Sequence, residues 1–218
     1  MFTLLRLAFN GNDVNIGKSV KKQSYHHGDL RSALVETGLR LLREKGDGDI
    51  GLREVARETG VSATAVYRHF PDKDALLHAL ARAGYEKLFD AQEAAAAGKP
   101  DREQAFRATG QAYVHFAVAN PALFGLMTAY MPAAGEEEAL ALSTESRAGV
   151  SLRENIAALM PEGSGRRAQD IAAIQAMALV HGLAQLVIGG QVPNDPELID
   201  AAVDQFGDWR HSHAQAES

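Results

Sequence analysis

The stretch GVSATAVYRHFPDKDAL, Gly60 to Leu76, decides how the rest of the chain is read. Gly60 supplies the left-handed residue that ends one helix, and Ser62 is an N-cap for a short helix at about 63–69. Phe70-Pro71-Asp72 stops that helix, and Asp72 caps the next. Immediately upstream, Leu52, Val55 and Ala56 share the inward face of a short helix at about 52–59. Two short helices are therefore separated by only three residues, Gly60 to Ser62.

A helix, a three-residue turn containing glycine and a second short helix form a helix-turn-helix, whose second helix can enter a DNA major groove. Ala65, Val66 and Phe70 supply its apolar side, leaving Ser62, Ala63, Thr64, Tyr67 and Arg68 outward. Thr64 can offer a hydroxyl to a base edge or a methyl to thymine, and Ala63 leaves room for close approach. Tyr67 and His69 can donate to phosphate oxygens from fixed rings. Lys73 adds a cation beside helix-start amides that already favour phosphate. Lys21, Lys22, Tyr25, His26 and His27 form an arm suited to backbone or minor-groove contact.

Composition bounds the alternatives. The 218 residues can bury a full core, and with no cysteine the chain has neither disulfides nor thiolate chemistry, which fits a cytoplasmic protein. Net charge is −6, but residues 1–73 carry 12 Lys/Arg against 9 Asp/Glu while residues 74–218 carry 10 against 19. A basic head of +3 on an acidic body of −9 suits a protein whose head alone meets a polyanion. The apolar start MFTLLRLAF is interrupted by Arg6 and is read as part of an extension, residues 1–24, not a signal peptide. The apolar run Ile171 to Gly190 reaches the length of a membrane span, but Gln175, His181 and Gln185 are costly in lipid, so a buried helix and no membrane are expected.

Helical periodicity continues along the chain. Ala33, Leu34, Gly38, Leu41 and Leu42 place a first helix at about 29–45, which Gly46, Gly48 and Gly51 break. The fourth helix runs from Asp72 through Ala75, Leu76, Ala79 and Leu80 towards Ala97. Further helices are expected near 101–119, 121–130, 136–160, 165–190 and 195–210, with Pro121, Pro132, Pro161, Pro193 and Pro196 between them. The expected fold is all-α, about nine helices, with a head at 25–71 joined to a larger body at 72–218.

Tyr25-His26-His27-Gly28-Asp29-Leu30-Arg31, Leu52-Arg53-Glu54-Val55-Ala56, Gly60-Val61-Ser62 and Tyr67-Arg68-His69-Phe70, with Lys73 and Leu76, resemble the TetR family of bacterial transcriptional regulators. The resemblance covers residues 25–77. It implies a homodimer whose two heads read a palindromic double-stranded DNA operator, and a body that binds a small inducer. Family members usually place Ser or Thr where Gly51 stands; glycine keeps the cap but removes a phosphate-contacting hydroxyl. Arg53 is the candidate to compensate. Val180-His181-Gly182-Leu183-Ala184 and Asn120-Pro121-Ala122-Leu123-Phe124 resemble the subgroup named for a Trp-His-Gly signature, with valine in place of the tryptophan.

The helix at 165–190 is apolar all round and carries small residues at Ala178, Gly182, Gly189 and Gly190. A second copy of the chain, pairing this helix with 195–210 into a four-helix interface, is the expected cover. Candidate effector contacts are Phe89, Phe106, Tyr113, Phe116, Phe124, Met127 and Tyr130, with His115 and His181 as polar anchors. Few of these neighbours are cationic, so the effector is expected to be mostly apolar.

Other classes fit the sequence less well. An enzyme using Tyr67, Arg68 and His69, or His115 and His181, lacks a nucleophile-base-orienter spacing and a phosphate-cradling loop. A metal on His26, His27 and Asp29 is disfavoured because adjacent histidines in an extended lead-in converge poorly. No cofactor or metal is expected. A ligand-binding body whose head has lost DNA function is the remaining rival.

Overall fold

A computed structural model describes residues 27–46, 49–130 and 147–205, with side chains from Leu30 onward. The expected extension at 1–24 and the arm residues Lys22, Tyr25 and His26 lie outside the described residues, as do the beginning of the expected helix at 136–160 and the end of that at 195–210. Among the described residues there are nine helices and no strands. They are α1 (His27–Lys45), α2 (Leu52–Thr59), α3 (Ala63–Tyr67), α4 (Lys73–Ala96), α5 (Arg102–Ala119), α6 (Pro121–Ala129), α7 (Arg147–Leu159), α8 (Arg166–Ile188) and α9 (Pro196–Asp204). The all-α expectation holds.

Local signals explain most helix ends. Asp72, Asp101 and Asp195 cap α4, α5 and α9 by accepting from backbone N–H groups two or three residues on. Pro121 and Pro196 occupy first turns, where their missing N–H costs no helical hydrogen bond. The third helix is shorter than expected: it ends at Tyr67, because His69 and Phe70 both donate to the Val66 carbonyl, at 2.9 Å each, and close a turn.

The head, α1 to α3, packs around Leu34, Leu42, Ile50, Val55, Val66 and Phe70, each at most 1 % exposed. Leu76 and Leu80 of α4 join the same apolar cluster, which continues without a break to Phe124, Ala184 and Ile199 of the body. Head and body are thus one packed unit through α4. Gly84 permits the close approach of α6 to α4: a Cβ there would lie 2.8 Å from Met127 Sδ and 3.0 Å from Leu123 Cδ1.

In the body, α5 lies between α4 and α8, while α7 packs on α8 and α5 and α9 packs mainly on α5. Ile156 of α7 meets Ala173 and Ala176 of α8 in a second, smaller cluster with Phe106, Leu152 and Met160. Among the described residues α8 is the helix long and apolar enough to cross a membrane, and α5 with α6 would qualify only as a pair bent by 105°. In this fold α8 buries Ala173, Ala176, Ala184 and Val187 against its neighbours.

Candidate nucleic-acid interface and effector cavity

Three hydrogen bonds set the angle between α2 and α3. Gly60, at φ 73°, donates to the Arg57 carbonyl at 3.1 Å, and Val61 donates to the Ala56 carbonyl at 3.0 Å. This paired closure needs a left-handed residue at Gly60, which glycine adopts without a Cβ penalty. Ser62 Oγ then accepts from the Ala65 N–H at 3.2 Å and opens α3. The serine hydroxyl is engaged as a cap, so its first role is to fix the helix start.

Val66 and Phe70 anchor α3 inward. Thr64, Tyr67 and Arg68 face out, Tyr67 with 46 % of its surface exposed, and Ala63 and His69 are half-buried beside them. Among the described residues the side chains of Thr64, Tyr67 and Arg68 have no internal hydrogen-bond or ion-pair partner, so their polar groups are available to an external surface. A large aromatic residue left half in water beside an arginine is costly to leave idle and suited to a phosphate-rich partner.

The flanking charges are more constrained. Lys73 Nζ lies 2.6 Å from Asp49 Oδ1, and that hydrogen bond, together with the Lys73 and Lys45 charges, holds the Asp49 carboxyl below its ordinary range. Lys45 also reaches Glu54 at 3.1 Å. The Arg31 guanidinium sits 5.2 Å from the centre of the Phe70 ring and stays with the head core. Gly51 caps α2 in an extended conformation without a side-chain hydrogen bond, and Arg53 next to Leu52 is exposed.

The body holds a cavity of about 680 Å³ between α4, α5, α7 and α8. Of the nine candidates, Phe89, Phe106 and Tyr113 are brought together in its wall. The other six are not in that wall. Phe124 and Met127 are 2 % and 1 % exposed and belong to the apolar core beneath it. Phe116 packs against the same core. His115 Nε2 lies 2.7 Å from Asp200 Oδ1, tying α5 to α9. Tyr130 is held by Asp74 of α4. His181 stands behind the wall, its Nδ1 3.0 Å from Tyr113 Oη and its ring 5.3 Å from that of Phe124. Helical spacing alone does not separate a core-facing aromatic from a cavity-facing one, because both lie on the inward half of the helix.

Sequence reading missed Tyr85, Leu152, Asn155, Ile156 and Met177, which also line the cavity. Tyr85 was legible as the residue one turn before Phe89 on the same face of α4. The polar groups of the wall are largely satisfied internally. Gln92 donates to the Thr109 carbonyl, and Thr109 in turn to the Phe106 carbonyl. Glu93 pairs with Arg147 at 3.2 Å, and Glu103 with Arg107 at 2.8 Å. Burial raises the Tyr113 phenol and lowers the His181 imidazole, so both stay neutral at neutral pH. The interior is mostly apolar, with the charged groups of its wall tied up in ion pairs.

Two family models match separate stretches of the chain. The family model of bacterial regulatory proteins of the tetR family matches residues 34–80, and that of the tetracyclin repressor-like C-terminal domain matches residues 106–206. A structure of a protein of unknown function from Rhodococcus sp. RHA1 is 34 % identical, covers 87 % of this chain and 98 % of its own, and superposes with a TM-score of 0.67. A TetR family transcription regulator from Marinobacter aquaeolei VT8 shares the fold, with 18 % identity, 80 % and 91 % coverage and a TM-score of 0.59. Among curated proteins, the uncharacterized HTH-type transcriptional regulator YuxN of Bacillus subtilis (strain 168) is 38 % identical over 56 residues, 26 % of this chain. A second such regulator, from Haemophilus influenzae, is 49 % identical over 47 residues, 21 % of this chain. These stretches span 19 % and 23 % of the two curated relatives. The chain belongs to the TetR family of transcriptional regulators, with a DNA-binding helix-turn-helix head.

Proposed function

We propose that the protein is a homodimeric, cytoplasmic transcriptional repressor that reads a palindromic operator and is released by a small, mostly apolar effector. The observation that carries this reading is the outward row Thr64, Tyr67 and Arg68, anchored by Val66 and Phe70 and left without internal partners among the described residues. In it, Ser62, Ala63 and Thr64 approach base edges, and Tyr67, Arg68, His69, Arg53 and Lys73 meet phosphates, with Lys22, Tyr25 and His26 as an arm.

Dimerisation is supported by the outer face of α8 and α9. Ile171, Ile174, Leu186 and Leu198 are 46–55 % exposed, and Gly182 between them has no atom within 4 Å of where a Cβ would stand. A second copy covering this stripe brings two heads to half-sites about 34–36 Å apart. The effector occupies the α4–α5–α7–α8 cavity, in contact with Phe89, Phe106 and Tyr113. It acts only through its differential affinity for two packings of the body: a hundredfold loss of DNA affinity needs about 2.7 kcal/mol of coupling.

Selection from random DNA with the wild-type chain and Tyr67→Ala tests the reading. A palindrome is expected, with affinity falling steeply with salt as phosphate contacts release counterions. Non-palindromic binding, or full affinity in Tyr67→Ala, counts against it. Light scattering that finds a monomer at micromolar concentration removes the dimer.

A further inference from the structure

Tyr85 joins the cavity to the C-terminal end of α6. It lies in the cavity wall, and its hydroxyl donates to the Met127 carbonyl at 3.1 Å. That carbonyl belongs to the last turn of α6, where helices leave acceptors in need of partners. Burial pushes the Tyr85 phenol up to about 12, so it keeps its single proton at neutral pH. Three residues on, Tyr130 faces the head. Its hydroxyl donates to Asp74 Oδ1 at 2.7 Å, and its ring packs edge-on against His78 with centroids 4.6 Å apart. Asp74 and His78 belong to the first two turns of α4, directly after the cap Asp72. The end of α6 is therefore held on one side by the cavity wall and on the other by the start of the helix that follows the reading helix.

We propose that Tyr85 is the positioning residue through which an effector in the cavity reaches the head, and that the effector is an apolar molecule carrying a hydrogen-bond acceptor, such as a ketone or ester carbonyl, which takes the Tyr85 hydroxyl from Met127. This rests on the regulator reading of the cavity. A phenol has one O–H to give, so an acceptor competes directly with the Met127 carbonyl. A hydrocarbon, or a group that only donates, leaves that bond in place. Once it is lost, the last turn of α6 loosens, and Tyr130 transmits the change to Asp74. Tyr113 also lines the cavity, but its hydroxyl is met by His181 of α8, so it serves as the contrast.

Hydrogen exchange by mass spectrometry on the full chain tests the relay without DNA. Tyr85→Phe should speed exchange several-fold in residues 126–130 and also in 74–80, while Tyr130→Phe should do so in 74–80 and Tyr113→Phe in neither. Unchanged exchange at 74–80 in Tyr85→Phe, or the same change in Tyr113→Phe, overturns the relay. Butyrophenone and n-butylbenzene, which share a carbon skeleton, test the effector chemistry. The ketone should reproduce the Tyr85→Phe pattern on the wild type and add nothing to it in the variant. Equal effects of the two probes, or none, overturn the acceptor requirement. On DNA selected by the wild type, Tyr85→Phe should bind about 2- to 30-fold more weakly. A wild type that selects no sequence counts against the regulator reading, while the exchange data judge the relay on their own.

Discussion

The head and the body spend the same kind of residue differently. In the head every large apolar side chain of α2, α3 and the turn that follows, except Tyr67, is turned inward, Val55, Val66 and Phe70 at no more than 1 % exposure. The body, with far more apolar residues to place, leaves about 680 Å³ open between four helices and an apolar stripe on α8 and α9. A short reading helix must be rigid, since a small displacement moves its side chains off register with the bases. A body that responds to a ligand needs a space that can be filled and a packing that has two solutions. On the proposed function, tightness here follows task, not composition.

The comparison is broken most severely by hollowing the head. Phe70→Ala is expected to cost about 3–5 kcal/mol, as for other buried aromatics, and to abolish specific DNA binding; urea denaturation and a binding titration read both. Tyr67→Ala separates reading from folding. It should leave the denaturation midpoint near that of the wild type while lowering operator affinity roughly 10- to 150-fold, the worth of a hydrogen bond to a charged group.

Adding volume sharpens the same contrast. Ala56→Leu enlarges a residue 3 % exposed in the head core and should destabilise by about 1–3 kcal/mol through overpacking. Ala172→Leu, on the cavity wall, should cost less than about 1.5 kcal/mol and reduce uptake of an apolar fluorescent dye. Equal destabilisation at the two positions would erase the distinction. Asp49→Asn releases Lys73 from its 2.6 Å partner and should raise DNA affinity severalfold at low salt, an advantage that fades as salt rises.

The smallest expected effect is alkaline. Tyr85 is raised to about 12 by burial, so the unfolded chain releases this proton first as pH climbs. Its contribution is fully present below the ordinary tyrosine range and is lost as pH rises through about 12. Denaturation midpoints between pH 9 and 12 should therefore fall less steeply in Tyr85→Phe than in the wild type.

The head was almost wholly legible in the amino-acid sequence. Gly60, Ser62, Pro71 and Asp72 act on backbone groups within a few residues of themselves, and Val66 and Phe70 lie one turn apart. The body was legible as helices but not as a site. Phe124, Met127 and Phe116 carry the same helical spacing as Phe89 and Phe106, yet they fill the core. His115 read as a candidate anchor and instead meets Asp200, 85 residues away.

By itself, then, the order of residues determined the all-α class, the helix-turn-helix, the outward placing of Thr64, Tyr67 and Arg68, and the family, because breakers, caps and apolar periods act over one or two turns. Tertiary structure alone decided which aromatics border empty space, which histidines are occupied, and that Tyr85 reaches Met127, 42 positions along the chain. Such pairings depend on how whole helices cross, and a glycine such as Gly84 sets that crossing only once its neighbour is in place. Local rules specify each helix; packing specifies the space between them.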